Sequence, residues 1–175
     1  MAQLNFAMNF HLFVSERISI NQASLSFVPF MVQDSISFNT MNVMNFHGAS
    51  SGSITLSIGL YSLSGLTLSL ENSISGSTTR SAVAQAGYIS LANTSKTQNI
   101  TPGTWYFGIL ASMSNNTSLS FLGQSFINPS NAFPGGFIGG AMTDSTNALP
   151  SSIATSDLDI TGQDALSIPS IILSA

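Results

Sequence analysis

The chain has 175 residues, enough for one domain with its own core, and only 6% of them are charged, against about 25% in an ordinary soluble domain. Three Lys plus Arg residues cannot form the basic surface that nucleic-acid binding needs, and the absence of Cys excludes disulfides, thiol catalysis and cysteine-based zinc sites. No stretch reaches the ~18 apolar residues of a membrane span, and the first residues lack the positive region of a signal peptide, so we expect synthesis in a cytoplasm. At a net charge of −4, copies of the chain repel one another weakly, and we expect association.

Apolar and polar residues alternate along most of the chain, and this period of two predicts an all-β fold. The alternation predicts a first strand over residues 4–14, a short piece over 18–20, and longer strands over 25–32 and 36–46. Pro29 cannot donate a ladder hydrogen bond, so its strand should lie at a sheet edge or carry a bulge.

Residues 53–73, SITLSIGLYSLSGLTLSLENS, predict a hairpin. A two-residue Ser64-Gly65 connection would pair Leu63 with Leu66 on one face. The aliphatic residues before Tyr61 alternate in the other phase, so they share that face only if the strand contains an extra residue. Gly59-Leu60 is the permissive place for such a bulge. The alternative is a strand buried on both sides.

The following residues predict a Ser/Thr/Gly-rich connection over 71–85 and a short strand over 88–91. Beyond them the sequence matches the Leu-x-Pro-Gly-Thr-x-Tyr pattern of a tyrosine corner, in which a phenol bonds upstream backbone in Greek-key sandwiches. The matching residues are Ile100, Pro102, Gly103, Thr104 and Tyr106. This motif is architectural, and it favours an antiparallel Greek-key or jelly-roll β-sandwich.

In the last third, a strand is predicted over 119–126. Residues 128–150 are too rich in Gly and Pro for regular structure, and they predict an irregular loop or arm within a single domain over 1–175. A single helical turn is predicted over 153–158, and a final strand, interrupted by a proline, over 168–173.

Two features resemble parts of catalytic sites. Residues 48–52, GASSG, satisfy the G-x-S-x-G pattern with Ser50 as nucleophile, but that chemistry requires a strand-to-helix elbow, and strands flank the motif here. His11 and His47 are the only imidazoles, so any His-based pair or metal site needs one or both. We interpret Ser50 as part of a polar loop and the histidines as hydrogen-bonded or interface residues, which predicts no enzyme.

Residues 157–164, DLDITGQD, resemble the start of an oxygen-rich calcium loop, with Asp157, Asp159 and Asp164 as candidate ligands. A full loop would place a bidentate Glu at its twelfth position, where Ile168 stands. We interpret the segment as a solvated acidic turn and expect neither a metal nor a cofactor.

Five aromatic residues could form a stacking platform for sugars: Tyr61, Tyr88, Trp105, Phe133 and Phe137. Tyr61 and Trp105 lie in predicted strands, so we interpret them as core or corner residues. Phe133 and Phe137 are flanked by Gly and Pro in the irregular loop, which favours contact with a partner subunit or a ligand.

The stretches GLYSLSGLTLSLENS, TQNITPGTWYFGIL and ALPSSI follow one another over roughly residues 54–153. In this order they resemble short β-sandwich proteins of tailed bacteriophages, found as capsid decoration proteins or in tail-fibre modules. The resemblance implies a jelly-roll-like fold, a homotrimer or higher assembly, display on the virion surface, and no catalysis. It transfers no functional residues, because the matching motifs are turns and strands.

The first hypothesis is therefore a non-enzymatic virion structural protein, a capsid decoration or cement protein that contacts copies of itself and the major capsid protein. The second is a tail-fibre or receptor-binding module that recognises a host surface glycan through Phe133 and Phe137. A third, weaker hypothesis is a serine hydrolase that uses Ser50.

Overall fold

The computed structural model describes residues 16–20, 24–46, 52–80, 87–92, 97–113, 119–127, 140–143, 148–158, 165–169 and 171–174. These residues form fourteen β-strands and one 3₁₀ turn, and every strand pair is antiparallel. The all-β prediction is confirmed, whereas the jelly-roll connectivity stays a prediction. In the described part of the chain, no helix has the length and apolar character to cross a membrane.

The strands in chain order are β1 (Glu16–Ile20), β2 (Ser24–Val32), β3 (Ile36–Phe38), β4 (Thr40–Phe46), β5 (Gly52–Ser64), β6 (Thr67–Arg80), β7 (Gly87–Ala92), β8 (Gln98–Ile100), β9 (Gly103–Met113), β10 (Leu119–Ile127), β11 (Gly140–Thr143), β12 (Ser152–Ala154), β13 (Ala165–Pro169) and β14 (Ile171–Ser174). The 3₁₀ turn, Thr155–Asp157, follows β12 directly.

The strands form two six-stranded sheets and a small ribbon. Sheet I has the order β11-β2-β9-β5-β6-β12. Sheet II has the order β1-β10-β4-β14, with β13 also paired to β10 and β7 also paired to β4. The ribbon pairs β3 with β8, and no other described strand joins it. Because side chains alternate across a strand, each sheet has two faces that can be packed separately.

The inner face of sheet I packs against sheet II and the ribbon in one buried cluster. Phe30 and Phe107 stack there, with ring centroids 4.0 Å apart and planes 8° from parallel. Sheet I contributes Val28, Phe30, Val32, Leu56, Ile58, Leu60, Ile74, Phe107 and Ile109; sheet II contributes Met41, Leu91 and Leu173; the ribbon contributes Phe38 and Ile100. This cluster is the core of a two-layer sandwich.

The outer face of sheet I carries a second buried cluster, which residues 148–158 cover. Its buried members are Leu25, Phe27, Tyr61, Leu68, Tyr106, Leu110, Ile153 and Leu158, with Leu63, Leu70 and Leu149 packed against them. Sheet I is thus buried on both faces where this segment covers it.

The long hairpin β5–β6 corrects two details of the prediction. The turn residues are Gly65 and Leu66, and Leu63 pairs with Leu68 rather than with Leu66. The register shifts where Leu60 pairs with Asn72 and Tyr61 with Leu70, so the unpaired residue is Glu71 of β6.

Strand β5 itself runs without a register shift against β9, so no bulge occurs at Gly59. Leu60 belongs to the inner cluster and Tyr61, its neighbour, to the outer one. The alternative interpretation, a strand buried on both sides, is therefore the correct one.

Several other predicted boundaries change. The single strand predicted over 36–46 divides at Asn39 into β3 and β4, which belong to different sheets. The connection predicted over 71–85 is wrong as far as Arg80, because β6 pairs with β5 up to that residue. Thr is common in strands, and β5 pairs with every residue of this stretch except Glu71.

The predicted irregular loop over 128–150 is wrong for Gly140–Thr143, which form β11 on the edge of sheet I. The other residues of that segment lie outside the described residues as far as 147. The helical turn predicted over 153–158 is a short strand followed by the 3₁₀ turn. The first predicted strand, over 4–14, also lies outside the described residues.

Pro29 lies where its strand has a free edge. Strand β11 pairs with β2 only from Ser24 to Phe27, and none of the described strands pairs with that edge further on. Pro29 therefore lies in the part of β2 that has a free edge among the described strands, as the edge prediction requires.

Candidate interaction site

The residues predicted to carry chemistry lie mostly outside the described part of the chain. These are Ser50, His11, His47, Phe133, Phe137, Asp159 and Asp164. Asp157 is exposed, and one of its carboxylate oxygens lies 3.4 Å from the Ser156 hydroxyl, which donates to it. Among the described residues, no group of three or more His, Cys, Asp or Glu side chains could hold a metal ion.

The aromatic residues of the strands behave as predicted where their side chains are described. Tyr61 is fully buried, and Trp105 is half-buried against the inner cluster. The Trp105 Nε1–H donates to the carbonyl oxygen of Thr101 at 2.9 Å. The bond predicted for the Tyr106 phenol stays a prediction.

The Tyr61 ring lies on a floor made by two glycines of neighbouring strands. Gly59 and Gly108 pair directly between β5 and β9. A Cβ on Gly59 would come within 2.5 Å of the Tyr61 ring, and one on Gly108 within 2.6 Å of the same ring atom. Only glycine leaves room for the ring here, and the ring in turn shields two backbone positions that lack side chains.

Tyr61 also anchors the covering segment. Its hydroxyl donates to the Pro150 carbonyl oxygen at 2.9 Å, and its ring meets Phe27 edge to face at a centroid distance of 4.9 Å. The Leu70 N–H donates to the Ser151 carbonyl oxygen at 2.9 Å. These contacts fix residues 148–158 against the outer face of sheet I. Tyr106 lies in the same cluster, and its burial raises the pKa of its phenol.

The covering segment also holds the tip of the hairpin. The Leu66 carbonyl oxygen accepts hydrogen bonds from the Thr155 N–H at 2.9 Å and the Thr155 hydroxyl at 3.2 Å. Gly65 has a φ of +61°, the left-handed value that a primed two-residue turn needs at its first central position. The backbone of the tip is therefore held by its own tight turn and by the hydrogen bonds from Thr155. The Leu66 side chain remains 76% exposed.

A second large apolar side chain is exposed at the same end of sheet I. Met31 is 51% exposed and pairs with Thr104 of β9; the next residue of β9, Trp105, pairs with Ser62 of β5, and Leu63, which follows Ser62, is half-buried. Strands β2 and β5 are two strand spacings apart, about 10 Å. We call Met31, Leu63 and Leu66 the hairpin-end patch. Within the described part of the chain, Met31 and Leu66 are the exposed large hydrophobic residues.

The charges around the patch are all negative among the residues described. Asp34 follows β2 by two residues, and Asp157 follows Thr155 by two. Glu71 accepts a hydrogen bond from the Ser62 hydroxyl at 2.6 Å, two residues before the end of β5. All three carboxylates are exposed. The described end of sheet I thus carries an apolar patch and three exposed carboxylates, of which Glu71 lies on the opposite face of the sheet from Met31 and Leu63.

Sequence reasoning missed this patch, although one signal was present. An aliphatic residue directly after a Ser-Gly turn signal has few partners in a tight hairpin, and Leu66 is such a residue. Its anchor, Thr155, lies 89 residues away in the chain, and no local pattern could reveal it.

No protein-family model matches the chain, and no curated protein is similar to it in sequence.

Proposed function

We propose that this chain is a non-enzymatic structural protein of a tailed-phage particle, a capsid decoration protein that stabilises the head. The observation that supports it best is the hairpin-end patch, in which apolar side chains project from a backbone that hydrogen bonds already fix. A rigid apolar projection suits a permanent contact between proteins, because little conformational entropy is lost on docking.

Composition supports the same function. A chain with 6% charged residues has a surface of hydroxyls and amides, which packs in many copies with little electrostatic repulsion. Repeated weak contacts over a shell add up through multivalency, so a small protein can reinforce a large particle. The resemblance to phage decoration proteins agrees with both arguments.

The test is the stability of particles made with and without the chain. Particles that lack it should release their nucleic acid at a lower temperature or internal pressure, and adding back the purified chain should restore the wild-type value. Release can be followed with a nucleic-acid dye during heating. Particles of unchanged stability that adsorb to host cells poorly would contradict the decoration role and favour the tail-fibre alternative.

A further inference from the structure

The hairpin-end patch is oriented by contacts that do not depend on any partner. Leu66 lies in a turn bounded by the Ser64–Thr67 pair, and its carbonyl accepts both hydrogen bonds from Thr155. A side chain that is 76% exposed on such a backbone has only its own rotamers to order on binding. Leu66 can therefore be buried by a partner with little loss of conformational entropy.

The charge around the patch indicates what would surround that pocket. Asp34, Glu71 and Asp157 are exposed at this end of sheet I, so a partner with basic residues at the rim would be attracted and oriented. A partner with an acidic rim would be repelled. Complementary charge of this kind acts mainly on the rate of association and on the choice of partner.

A second copy of the chain fits poorly as that partner. The protein has three basic residues, Arg17, Arg80 and Lys96. Arg80 pairs with Gly52 at the opposite end of the hairpin from Leu66, which is roughly 40 Å away at the rise of a β-strand. Arg17 lies in β1 of sheet II, and Lys96 lies outside the described residues. A symmetric contact between two patches would bring carboxylates against carboxylates.

We propose that the hairpin-end patch docks on a different protein, whose surface offers an apolar socket for Leu66 bordered by Lys and Arg. This inference rests on the proposed function, in which that protein belongs to the particle shell.

The experiment measures binding of the purified chain to shells assembled without it. Leu66→Ser should weaken binding by about tenfold to a hundredfold, since it removes the anchor of the contact. Leu66→Met keeps the apolar bulk and should stay within about threefold of wild type. Both variants should melt at the wild-type temperature, because the side chain is exposed in the free protein.

The charge argument is tested by removing carboxylates near the patch and, as a control, a basic residue far from it. Glu71→Gln combined with Asp157→Asn should slow association roughly threefold to tenfold at low salt and flatten its salt dependence. Arg80→Gln, at the far end of the same strand as Glu71, should not slow it.

The outcomes separate the inference from the function on which it rests. If the wild-type chain does not bind the shells, the docking inference and the proposed function are both wrong. If it binds and Leu66→Ser binds equally well, only the docking inference is wrong. Faster association after removal of the carboxylates would also overturn it. Sedimentation could also overturn the inference. If the purified chain self-associates and Leu66→Ser abolishes this association, the partner of the patch is a second copy of the chain.

Discussion

Both faces of sheet I carry a buried cluster, but the two clusters are covered by different means. The inner face packs aliphatic and stacked aromatic side chains against a second sheet, whereas the outer face packs one tyrosine into a glycine floor under a single covering segment. On β5 the change occurs between Leu60 and Tyr61. Because the two faces have different partners, damage to one should be separable from damage to the other.

The largest expected effect is on the inner face. Phe107→Ala removes a ring that stacks on Phe30 at 4.0 Å, and such truncations cost about 3–5 kcal/mol. The free energy of unfolding in urea should fall by that amount, and hydrogen exchange should accelerate in both sheets. Faster exchange confined to residues 148–158 would contradict the distinction between the faces.

Gly108→Ala should act mainly on the outer face. The new methyl group would lie 2.6 Å from the Tyr61 ring and 3.0 Å from that of Phe27, and overpacking of this kind costs about 1–3 kcal/mol. Hydrogen exchange should accelerate first in residues 148–158, which the displaced ring no longer anchors.

A double-mutant cycle provides the control for Gly108→Ala. In a Tyr61→Leu background the ring is absent, so the same substitution should cost clearly less. Equal costs in the two backgrounds would show that the glycine floor does not hold the tyrosine.

A substitution at Gln98, on the inner side of the sandwich, should instead raise the free energy of unfolding. It is fully buried in the ribbon, opposite Phe38, and neither of its side-chain amide atoms has a hydrogen-bond partner among the described residues. Gln98→Met removes that unsatisfied amide at similar volume and should raise the free energy of unfolding by about 1–2 kcal/mol. The control is Asn99→Ala, at an exposed position next to it, which should change stability little. A destabilised Gln98→Met protein would refute this account of the ribbon.

Tyr61→Phe tests the anchor of the covering segment with a smaller change. It keeps the ring over Gly59 and Gly108 but removes the bond to the Pro150 carbonyl oxygen, worth about 1 kcal/mol. Exchange should accelerate around residues 150–151 and stay unchanged in β2 and β9. An unchanged free energy of unfolding together with unchanged exchange would mean that the bond contributes nothing.

The smallest effect should be a dependence on alkaline pH. Burial raises the pKa of Tyr106 in the folded protein above its ordinary value of 10.0, so the unfolded chain loses this proton first. The stability that the protonated Tyr106 phenol contributes is fully present below pH 10, and it is lost as the pH rises through the pKa of the folded protein. Tyr106→Phe should make the decline of the urea midpoint above pH 10 less steep, and an identical slope would exclude the role of this phenol.

The sequence was sufficient for β5 and for the start of β6, but not for β6 beyond Leu70 or for the bulge of the hairpin. Leu60 and Tyr61 are adjacent apolar residues, and this change of phase shows that β5 either bulges or is buried on both sides. In β6, Leu70 and Ile74 share one phase yet lie on opposite faces, which only an extra residue such as Glu71 allows. Nothing local decides which strand carries that residue.

The candidate site was less predictable than the fold because its parts are distant in the chain. The hairpin tip depends on Thr155, and the glycine floor under Tyr61 depends on the pairing of Gly59 with Gly108. Each residue alone is typical of an ordinary turn or strand. Only the pairing of the strands brings these residues together.

The most direct test of the whole account is a density map of the host particle at a resolution that traces β-strands. The account predicts that the chain lies on the head and that its β5–β6 tip, Gly65 and Leu66, enters an apolar socket of the shell protein. Density for the chain on the tail, or a tip that points into solvent, would contradict it.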